Sequence, residues 1–429
     1  MQTGAGSQDA AQRAVRQTSG ALRAANRASV VRVLRQAGGA TRAELVQYTG
    51  LSRATVSSVL GELGERGLIT ERRSAAGAGM GRPAARVALD RSAGTAIAVD
   101  IGVRHVAVAV GDLSHSVLAE RWVTAPRGHA AARGTRLVLR SIEEAIEQAG
   151  VDAEELVGAA VSLAAPVATD SNRLAVPGVL PGWTDSTLAE SVAARWGIPV
   201  VTENDANLGA LGEALARPAA GGGDILFVKV ASRIGLGIAR GNRVVRGRNG
   251  YAGEFGHVTV RPRGQQCWCG RRGCLELYAG GDGMLRRLAG TAAAADSIPD
   301  LVAGARASRE RRRVVDDGAA ALARALTDIA VVLDPARIVL GGELTGLGDL
   351  LVDPIRRELG ALPFGSTVEL RVSPLGERAS LVGALGLVLT EPARFVDRSQ
   401  GRVVPRPADD DHAPSSPPLS LPAAREAQP

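Results

Sequence analysis

Four side chains of the kind that bind transition metals lie close together in the sequence. All three cysteines of the 429-residue chain fall within eight residues, and one of the five histidines precedes them with nine residues between. The pattern His-x9-Cys-x-Cys-x4-Cys is formed by His257, Cys267, Cys269 and Cys274. Thiolate and imidazole suit Zn²⁺, and four such ligands leave no open position, so the pattern predicts a structural zinc. The alternative is a reduced, buried cysteine cluster, because three cysteines cannot all pair and Cys-x-Cys is too close for an easy disulfide.

Two carboxylates flank the predicted zinc loop, which spans residues 257–274. Glu254 lies three residues before the histidine, and Glu276 lies two residues after the last cysteine. A carboxylate accepts hydrogen bonds from hydroxyl groups. A metal-fixed loop that holds two carboxylates is therefore a candidate site for a hydroxyl-rich ligand.

The zinc loop and its flanks resemble the signature of a known family. Gly-Glu-Phe-Gly-His at 253–257, followed by Cys-x-Cys-Gly-x-x-Gly-Cys-x-Glu at 267–276, resembles the ROK family of bacterial sugar kinases and sugar-responsive repressors. The resemblance extends from about residue 94 to 390 and points to the repressor branch, similar to xylose and N-acetylglucosamine repressors. It implies a two-lobed actin-like (ribonuclease H-like) sugar kinase fold with a cleft between the lobes.

The resemblance also implies sugar contacts at five positions. The Asn-Asp pair of the family's Glu-Asn-Asp-Ala-Asn segment contacts the sugar, and in the kinases its aspartate is the general base. Here the pair is Asn204 and Asp205, and the remaining contacts match Glu254, His257 and Glu276. His257 would bind zinc through one ring nitrogen and a hydroxyl through the other. As alternatives, Asn204 or Asp205 caps a helix, and the glutamates are surface or zinc-supporting carboxylates.

Two loops depart from the kinase pattern. Family kinases have Asp-x-Gly-Gly-Thr after the first strand, where this chain has Asp-Ile-Gly-Val-Arg at 100–104. The second loop resembles Gly-Thr-Gly-x-Gly in kinases and reads Ala-Ser-Arg-Ile-Gly at 231–235. Backbone cradling of phosphate needs glycine's freedom and lack of a side chain, so the changes predict that ATP use is lost and that the chain is not an enzyme. The altered positions are Val103, Arg104, Ala231 and Arg233.

Positive charge is concentrated at the start of the chain. Residues 1–90 contain 13 arginines and 6 acidic residues and so carry the whole net charge of +7. This distribution is typical of a nucleic-acid-binding module joined to a neutral domain. Lys229 is the single lysine among 51 basic residues, a skew that points to a GC-rich genome.

Residues 21–90 predict a winged helix-turn-helix that binds DNA. The predicted elements are helices over 26–37, 42–48 and 53–66 and strands over 68–73 and 85–89. Thr41 with Glu44 forms a capping box, and Ser52 caps the third helix, whose exposed face of small hydroxyl residues suits a major groove. An ordinary three-helix bundle with a polar face is the alternative. The expected DNA contacts are Arg42, Ser52, Arg53, Thr55, Ser57, Ser58, Arg72 and Arg82.

The rest of the chain alternates apolar strands with helices, which indicates the α/β class. Residues 91–390 form the predicted sugar-binding domain, residues 1–20 a predicted disordered arm, and residues 391–429 a predicted disordered tail rich in proline and aspartate. The first twenty residues lack an apolar run, and no uncharged apolar stretch reaches about 18 residues. We therefore expect no signal peptide, no membrane span and a cytoplasmic location, where thiols stay reduced.

Together these features predict a DNA-binding transcriptional regulator, in the form of a repressor of sugar metabolism or transport genes. A bound sugar or sugar derivative would change its affinity for a double-stranded operator. The resemblance implies a homodimer or homotetramer and hence a near-palindromic operator. Two alternatives stay open: an ATP-dependent, glucokinase-like sugar kinase with an added DNA-binding domain, and a domain that binds a partner protein instead of a sugar.

Overall fold

The computed structural model describes most of the chain between residues 23 and 389. Gaps within that range fall at 24–25, 28, 35–36, 66, 74–84, 91–93, 114–115, 126–129, 169–172, 177–178, 181–182, 184–186, 220–222 and 364–366. The predicted arm at 1–20 and the predicted tail at 391–429 lie outside the described residues.

An N-terminal module contains three helices and a small sheet. Its elements are α1 (residues 29–34), β1 (Ala40–Thr41), α2 (Arg42–Thr49), α3 (Arg53–Glu65), β2 (Ile69–Arg73) and β3 (Ala85–Leu89). The central strand β3 pairs antiparallel with both β1 and β2. A helix-turn-helix followed by a hairpin is the predicted winged helix-turn-helix, with β1 as an additional strand.

Local sequence signals set the helices of this module. The Thr41 side chain accepts a hydrogen bond from the backbone N–H of Glu44, and the Glu44 carboxylate accepts one from the backbone N–H of Thr41 at 2.7 Å. Helix α2 ends at Gly50, whose φ of 68° is in the left-handed region. Helix α3 buries an apolar stripe of Val56, Val59, Leu60 and Leu63.

The body consists of two lobes whose sheets share one topology. In the first lobe the sheet order is β6-β5-β4-β7-β8, and in the second it is β11-β10-β9-β12-β13. In the first lobe β4, β5 and β6 pair antiparallel, while β7 pairs parallel with β4 and β8 pairs parallel with β7. The second lobe repeats this pattern: β9, β10 and β11 pair antiparallel, while β12 pairs parallel with β9 and β13 pairs parallel with β12. This repeated order confirms the predicted two-lobed actin-like fold.

The elements of the first lobe are β4 (Thr95–Ile101), β5 (His105–Asp112), β6 (Val117–Thr124), α4 (Ala131–Ala149), β7 (Leu156–Leu163), α5 (Leu188–Trp196) and β8 (Val200–Asn204). Helix α6 (Asp205–Ala216) leads into the second lobe. That lobe contains β9 (Ile225–Val230), β10 (Ile234–Arg240), β11 (Arg243–Val244), α7 (Glu276–Ala279), α8 (Gly281–Leu288), α9 (Ile298–Gly304), α10 (Arg309–Leu333), β12 (Arg337–Gly341), α11 (Asp349–Gly360) and β13 (Glu369–Val372). The last helix, α12 (Ala379–Leu389), packs on α6, β4 and β7.

Several elements of the body were missed from the sequence. Strand β6 lies at a sheet edge with a mostly half-buried or exposed surface, so it lacks the continuous apolar run of β4 and β5. Helix α11 contains Pro354, which interrupts a helical pattern. Helices α8 and α9 and strand β13 are short, with four to eight residues each.

The parallel strands of each sheet have their carboxyl ends at the same edge of that sheet. Strands β4 and β8 end at Ile101 and Asn204, and strands β9 and β12 end at Val230 and Gly341. The carboxyl ends of parallel strands are where open α/β sheets bind ligands. No helix among the described residues has the length and apolar character needed to cross a membrane.

Candidate functional site

A cleft between the two lobes gathers the five residues expected to contact a sugar. Asn204, Asp205, Glu254, His257 and Glu276 all line it. They come from the β8–α6 junction, from the loop after β11 and from the first turn of α7. The structure thus brings together side chains that are up to 72 positions apart in the sequence.

Asn204 is the N-cap of α6, as the helix-capping alternative states. Its Oδ1 accepts hydrogen bonds from the backbone N–H groups of Ala206 and Asn207, and its Nδ2 donates to the carbonyl of Ala165 at 3.1 Å. Beneath it, buried Glu203 pairs with Arg246 at 2.6 Å and accepts from the Asn204 backbone N–H. Capping fixes the amide at the cleft and leaves one Nδ2 hydrogen for a ligand.

Asp205 pairs with the only lysine of the chain. Its Oδ2 lies 2.8 Å from Lys229 Nζ, and its Oδ1 accepts from the backbone N–H of Ala206. Lys229 comes from the end of β9 and also lines the cleft. Asp205 is therefore a carboxylate whose charge is balanced within the protein.

A second buried carboxylate lies near the same ammonium. Asp100, at the end of β4, accepts hydrogen bonds from Ser162 Oγ and from His105 Nε2, the latter at 3.0 Å. Burial opposes ionisation of Asp100, but Lys229, His105 and Ser162 outweigh it and lower its pKa to about 2. Burial likewise opposes the charge on Lys229, yet Asp205 and Asp100 raise its pKa, so the ammonium stays charged.

Glu254 differs from these two carboxylates because no cation among the described residues forms an ion pair with it. Burial, together with the nearby Asp205 and Glu276, raises the pKa of Glu254 to about 7, and Arg233 offsets only part of this. At neutral pH Glu254 is therefore partly protonated and can donate as well as accept a hydrogen bond.

The raised pKa of Glu254 predicts a pH-dependent stability. Because the folded pKa lies above the unfolded value of 4.5, the native state binds more protons between about pH 4.5 and 7. The contribution of Glu254 is full below pH 4.5 and is lost as the pH rises through 7, a change on the order of 3 kcal/mol. We expect Glu254→Gln to lose less stability than wild type between pH 5 and 8 in urea denaturation. Parallel pH profiles of the two proteins would show that Glu254 titrates normally.

The four predicted metal ligands converge on one point. Their ligand atoms all lie within 4.8 Å of one another, with Cys267 Sγ 3.6 Å from His257 Nδ1 and Cys269 Sγ 3.6 Å from Cys274 Sγ. A tetrahedral Zn²⁺ with bonds of about 2.3 Å to sulfur and about 2.0 Å to nitrogen would separate its ligands by roughly 3.5–3.8 Å. The group could therefore hold a metal ion of this size.

Backbone and electrostatics agree with that use. Gly270 and Gly273 have φ values of 89° and 68°, and a Cβ on Gly273 would collide with the carbonyl of Arg261. Burial lowers the pKa of His257, which favours the neutral imidazole that metals bind. Burial and the neighbouring thiols raise the pKa of Cys274 to about 12, so a metal must displace its proton.

The two altered loops lie on the same cleft. Val103 and Arg104 form the β4–β5 turn, and Ala231 and Arg233 belong to the β9–β10 turn. Arg233 Nη2 crosses the cleft and donates to the carbonyl of Val179 at 2.7 Å. The carbonyls of Ala231 and Ser232 accept hydrogen bonds from the backbone N–H groups of Gly281 and Asp282, which joins this turn to the start of α8.

The residues expected to contact DNA are distributed over the N-terminal module. Ser52 Oγ caps α3 by accepting from the backbone N–H of Thr55 at 3.1 Å. Arg53, Ser57 and Ser58 lie on the exposed face of α3, opposite its buried stripe.

The three remaining arginines differ in their placement. Arg42 is exposed at the start of α2 and pairs with Glu71 at 2.7 Å. Arg72 lies in β2, and Arg82 falls outside the described residues. The module thus presents α3 as its exposed polar helix, and the individual contacts stay predictions.

Sequence reasoning missed Lys229 and Trp268 as cleft residues. For Lys229 the available signal was a single lysine within an apolar strand, which indicates a buried partner. Trp268 stands between two metal-ligand cysteines, and its indole N–H donates to Glu276 Oε1 at 3.1 Å. Its position inside the Cys-x-Cys turn was the available signal.

Comparison with known sequences assigns the two parts of the chain separately. The sequence model of the ROK family matches residues 96–391, and that of the MarR family matches residues 24–78. The xylose repressor of Bacillus spizizenii is 27% identical over 357 residues, which cover 81% of this chain and 91% of that protein. The glucokinase of Streptomyces coelicolor is 33% identical over 317 residues, which cover 68% of this chain and 97% of that protein.

Solved structures show the same division. The crystal structure of a ROK family transcriptional regulator, a homolog of the E. coli MLC protein, covers 86% of this chain and 97% of its own, with a TM-score of 0.69 and 22% identity. A ROK family glucokinase from Streptomyces griseus, solved with glucose and AMPPNP, covers 68% of this chain and 99% of its own, with a TM-score of 0.59 and 29% identity.

Proposed function

The chain belongs to the ROK family, and from this premise we propose that it is a transcriptional repressor of sugar metabolism or transport genes whose DNA affinity changes when a sugar binds the cleft. One observation carries the proposal: a winged helix-turn-helix with an exposed polar α3 precedes the family domain in the same chain. A xylose repressor aligns over 81% of the chain, whereas a glucokinase aligns over 68%.

The N-terminal module supplies the DNA-binding half of the proposal. Its exposed α3 face carries hydroxyls and Arg53, and residues 1–90 carry the whole net positive charge of the chain. Such a helix enters the major groove, and surrounding arginines bind phosphate. A homodimer or homotetramer would place two copies of α3 on the half-sites of a near-palindromic operator in the cytoplasm.

The cleft supplies the sugar-binding half. Asn204, Asp205, Glu254, His257 and Glu276 together offer amide, carboxylate and imidazole groups that match several hydroxyls of one sugar ring. A sugar that binds more tightly to one arrangement of the lobes shifts the population towards it. If that arrangement changes the spacing of the two α3 helices, operator affinity changes with it.

Two contacts support a binding site without phosphoryl transfer. A general base must be free to take a proton from the attacking hydroxyl, whereas Oδ2 of Asp205 is held in an ion pair with the Lys229 ammonium at 2.8 Å. Arg233 places a long side chain where a phosphate-binding loop needs glycine. These features favour the regulator over the alternative of an ATP-dependent sugar kinase.

A zinc ion held by His257, Cys267, Cys269 and Cys274 would be structural. All four positions would be protein ligands, so none is left for water or substrate. When bound, zinc fixes the loop that carries Glu276 on one side and Trp268 within it. His257 Nδ1 faces Cys267 Sγ and would be the metal ligand, which would leave Nε2 for a sugar hydroxyl.

The proposal is tested by operator binding. Purified protein is titrated onto DNA from upstream of its own and neighbouring genes at fixed salt, with and without a panel of sugars and sugar phosphates. We expect specific binding that one sugar weakens or strengthens. Specific binding that no sugar changes would contradict the sugar-responsive half, and absence of specific binding together with phosphoryl transfer from ATP would favour the kinase.

Arg53→Ala tests the placement of α3 in the same assay. Loss of one arginine contact to DNA costs about 1–3 kcal/mol, so we expect specific affinity to fall roughly 5- to 100-fold with an unchanged melting temperature. The matched control is Arg309→Ala, because Arg309 is also the exposed first residue of a serine-capped helix, α10. If the two variants bind the operator with equal affinity, Arg53 does not contact DNA.

A further inference from the structure

Trp268 is a large exposed aromatic side chain inside the ligand cleft. It is 49% exposed, in a chain that has only four tryptophans, and it lines the cleft beside Glu254 and His257. An apolar ring of this size left open to solvent loses the free energy that its burial would give. Aromatic side chains commonly line concave ligand sites, so the exposed ring of Trp268 is a surface that a bound ligand would cover.

Two contacts hold the indole of Trp268 in place. Its Nε1–H donates to Glu276 Oε1 at 3.1 Å, and its ring packs edge-to-face with His257 at 4.7 Å between centroids and 85° between planes. Its chain neighbours, Cys267 and Cys269, are both in the metal-binding group. The ring is therefore oriented before any ligand binds, which lowers the entropy lost on binding.

The surroundings of Trp268 define the chemistry of its ligand. Carboxylates of Asp205, Glu254 and Glu276 offer hydrogen-bond acceptors for hydroxyls, while Ala165 and Val179 of the first lobe add apolar lining. The cations that line the cleft already have partners: Lys229 pairs with Asp205, Arg104 pairs with Asp282, and Arg233 donates to the carbonyl of Val179. A ligand with its own carboxylate near the ring would meet like charge.

We propose that Trp268 is a specificity-determining residue of the cleft, on which the apolar C–H face of a neutral aldopyranose stacks while Glu254 and Glu276 bind its hydroxyls. The inference rests on the proposed function and deepens it, since it names the effector class as an uncharged pyranose rather than a sugar acid. Trp268 acts by contact with the ligand, and Glu276 is oriented by the indole that the sugar covers.

The test is a titration of the full chain with sugars, in which binding is measured by tryptophan fluorescence and by calorimetry. The probes are D-xylose, D-glucose and D-glucuronate, the last of which differs from glucose by a carboxylate. We expect one neutral sugar to bind and to change the fluorescence, and glucuronate to bind at least 10-fold more weakly than glucose. Trp268→Ala should lose about 10-fold in affinity for the neutral sugar, because stacking on an aromatic ring is lost.

Two further variants separate stacking from structure. Trp268→Phe keeps a ring but loses the N–H bond to Glu276, so it should lose a few-fold in affinity and abolish the fluorescence change. Trp122→Phe is the matched control, because Trp122 is also exposed, donates to a glutamate (Glu120, 2.6 Å) and does not line the cleft. It should keep both the affinity and the fluorescence change.

Operator binding, measured in parallel, distinguishes the possible failures. Wild-type affinity in Trp268→Ala, or glucuronate binding as tight as glucose, overturns the inference while the regulator stands. Protein that binds operator but none of the neutral sugars also overturns it, whereas protein that binds neither operator nor sugar overturns the proposed function as well.

Discussion

Cys269→Ser is expected to lose zinc and to destabilise the second lobe by at least about 3 kcal/mol. Metal binding free energy in a structural site is folding free energy, and three remaining ligands cannot close a tetrahedral shell. The loop also connects β10 and β11 to α7, and Cys267 and Cys274 belong to the core of this lobe. The measurements are zinc content by elemental analysis and unfolding in urea.

The controls for Cys269→Ser separate metal loss from loop damage. Arg263→Ala changes an exposed residue of the same loop that is not a ligand and should keep both zinc and stability. A chelator should lower the stability of wild type to that of Cys269→Ser, and added zinc should restore only wild type. Full zinc content in Cys269→Ser would contradict the assignment of Cys269 as a zinc ligand and favour a reduced cysteine cluster.

Asp205→Asn is expected to abolish the response to sugar while operator binding persists. A hydrogen bond to a charged group contributes about 1.5–3 kcal/mol, so sugar affinity should fall roughly 10- to 100-fold. The substitution also removes the negative charge 2.8 Å from Lys229, so its ammonium is balanced less completely. Sugar binding is measured by calorimetry, and its effect on DNA by operator titration.

Glu213→Gln is the matched control for Asp205→Asn. Glu213 is a buried carboxylate of the same helix, α6, and it accepts a hydrogen bond from Ser373 away from the cleft. The two variants make the same chemical change, so general destabilisation of α6 should appear in both and sugar binding should fail only in the first. A normal sugar response of Asp205→Asn would reduce Asp205 to a structural ion pair.

The fold was largely predictable because its signals are local or carry a family pattern. The capping box at Thr41, the apolar stripe of α3 and the continuous apolar strands β4 and β9 follow from residue type and periodicity alone. The two-lobed architecture came from the resemblance in the zinc loop. The edge strand β6 and the proline-containing α11 were missed because tertiary packing, not their own pattern, stabilises them.

The sequence by itself determined which four side chains could bind a metal ion together, since the chain has only three cysteines and one histidine at a suitable spacing. It also determined the concentration of positive charge in the first 90 residues and the presence of Val103, Arg104, Ala231 and Arg233 in the two cleft loops. These properties depend on composition and short-range order, which no tertiary contact can alter.

Only the tertiary structure decided what surrounds each polar group. Lys229 lies 24 positions from Asp205, and it reaches that carboxylate because β9 ends at the cleft where α6 begins. Arg233 and Val179 meet because the two sheets face each other across the cleft. The electrostatic state of a side chain depends on burial and on charges a few ångströms away, and chain folding, rather than spacing in the sequence, brings those charges together.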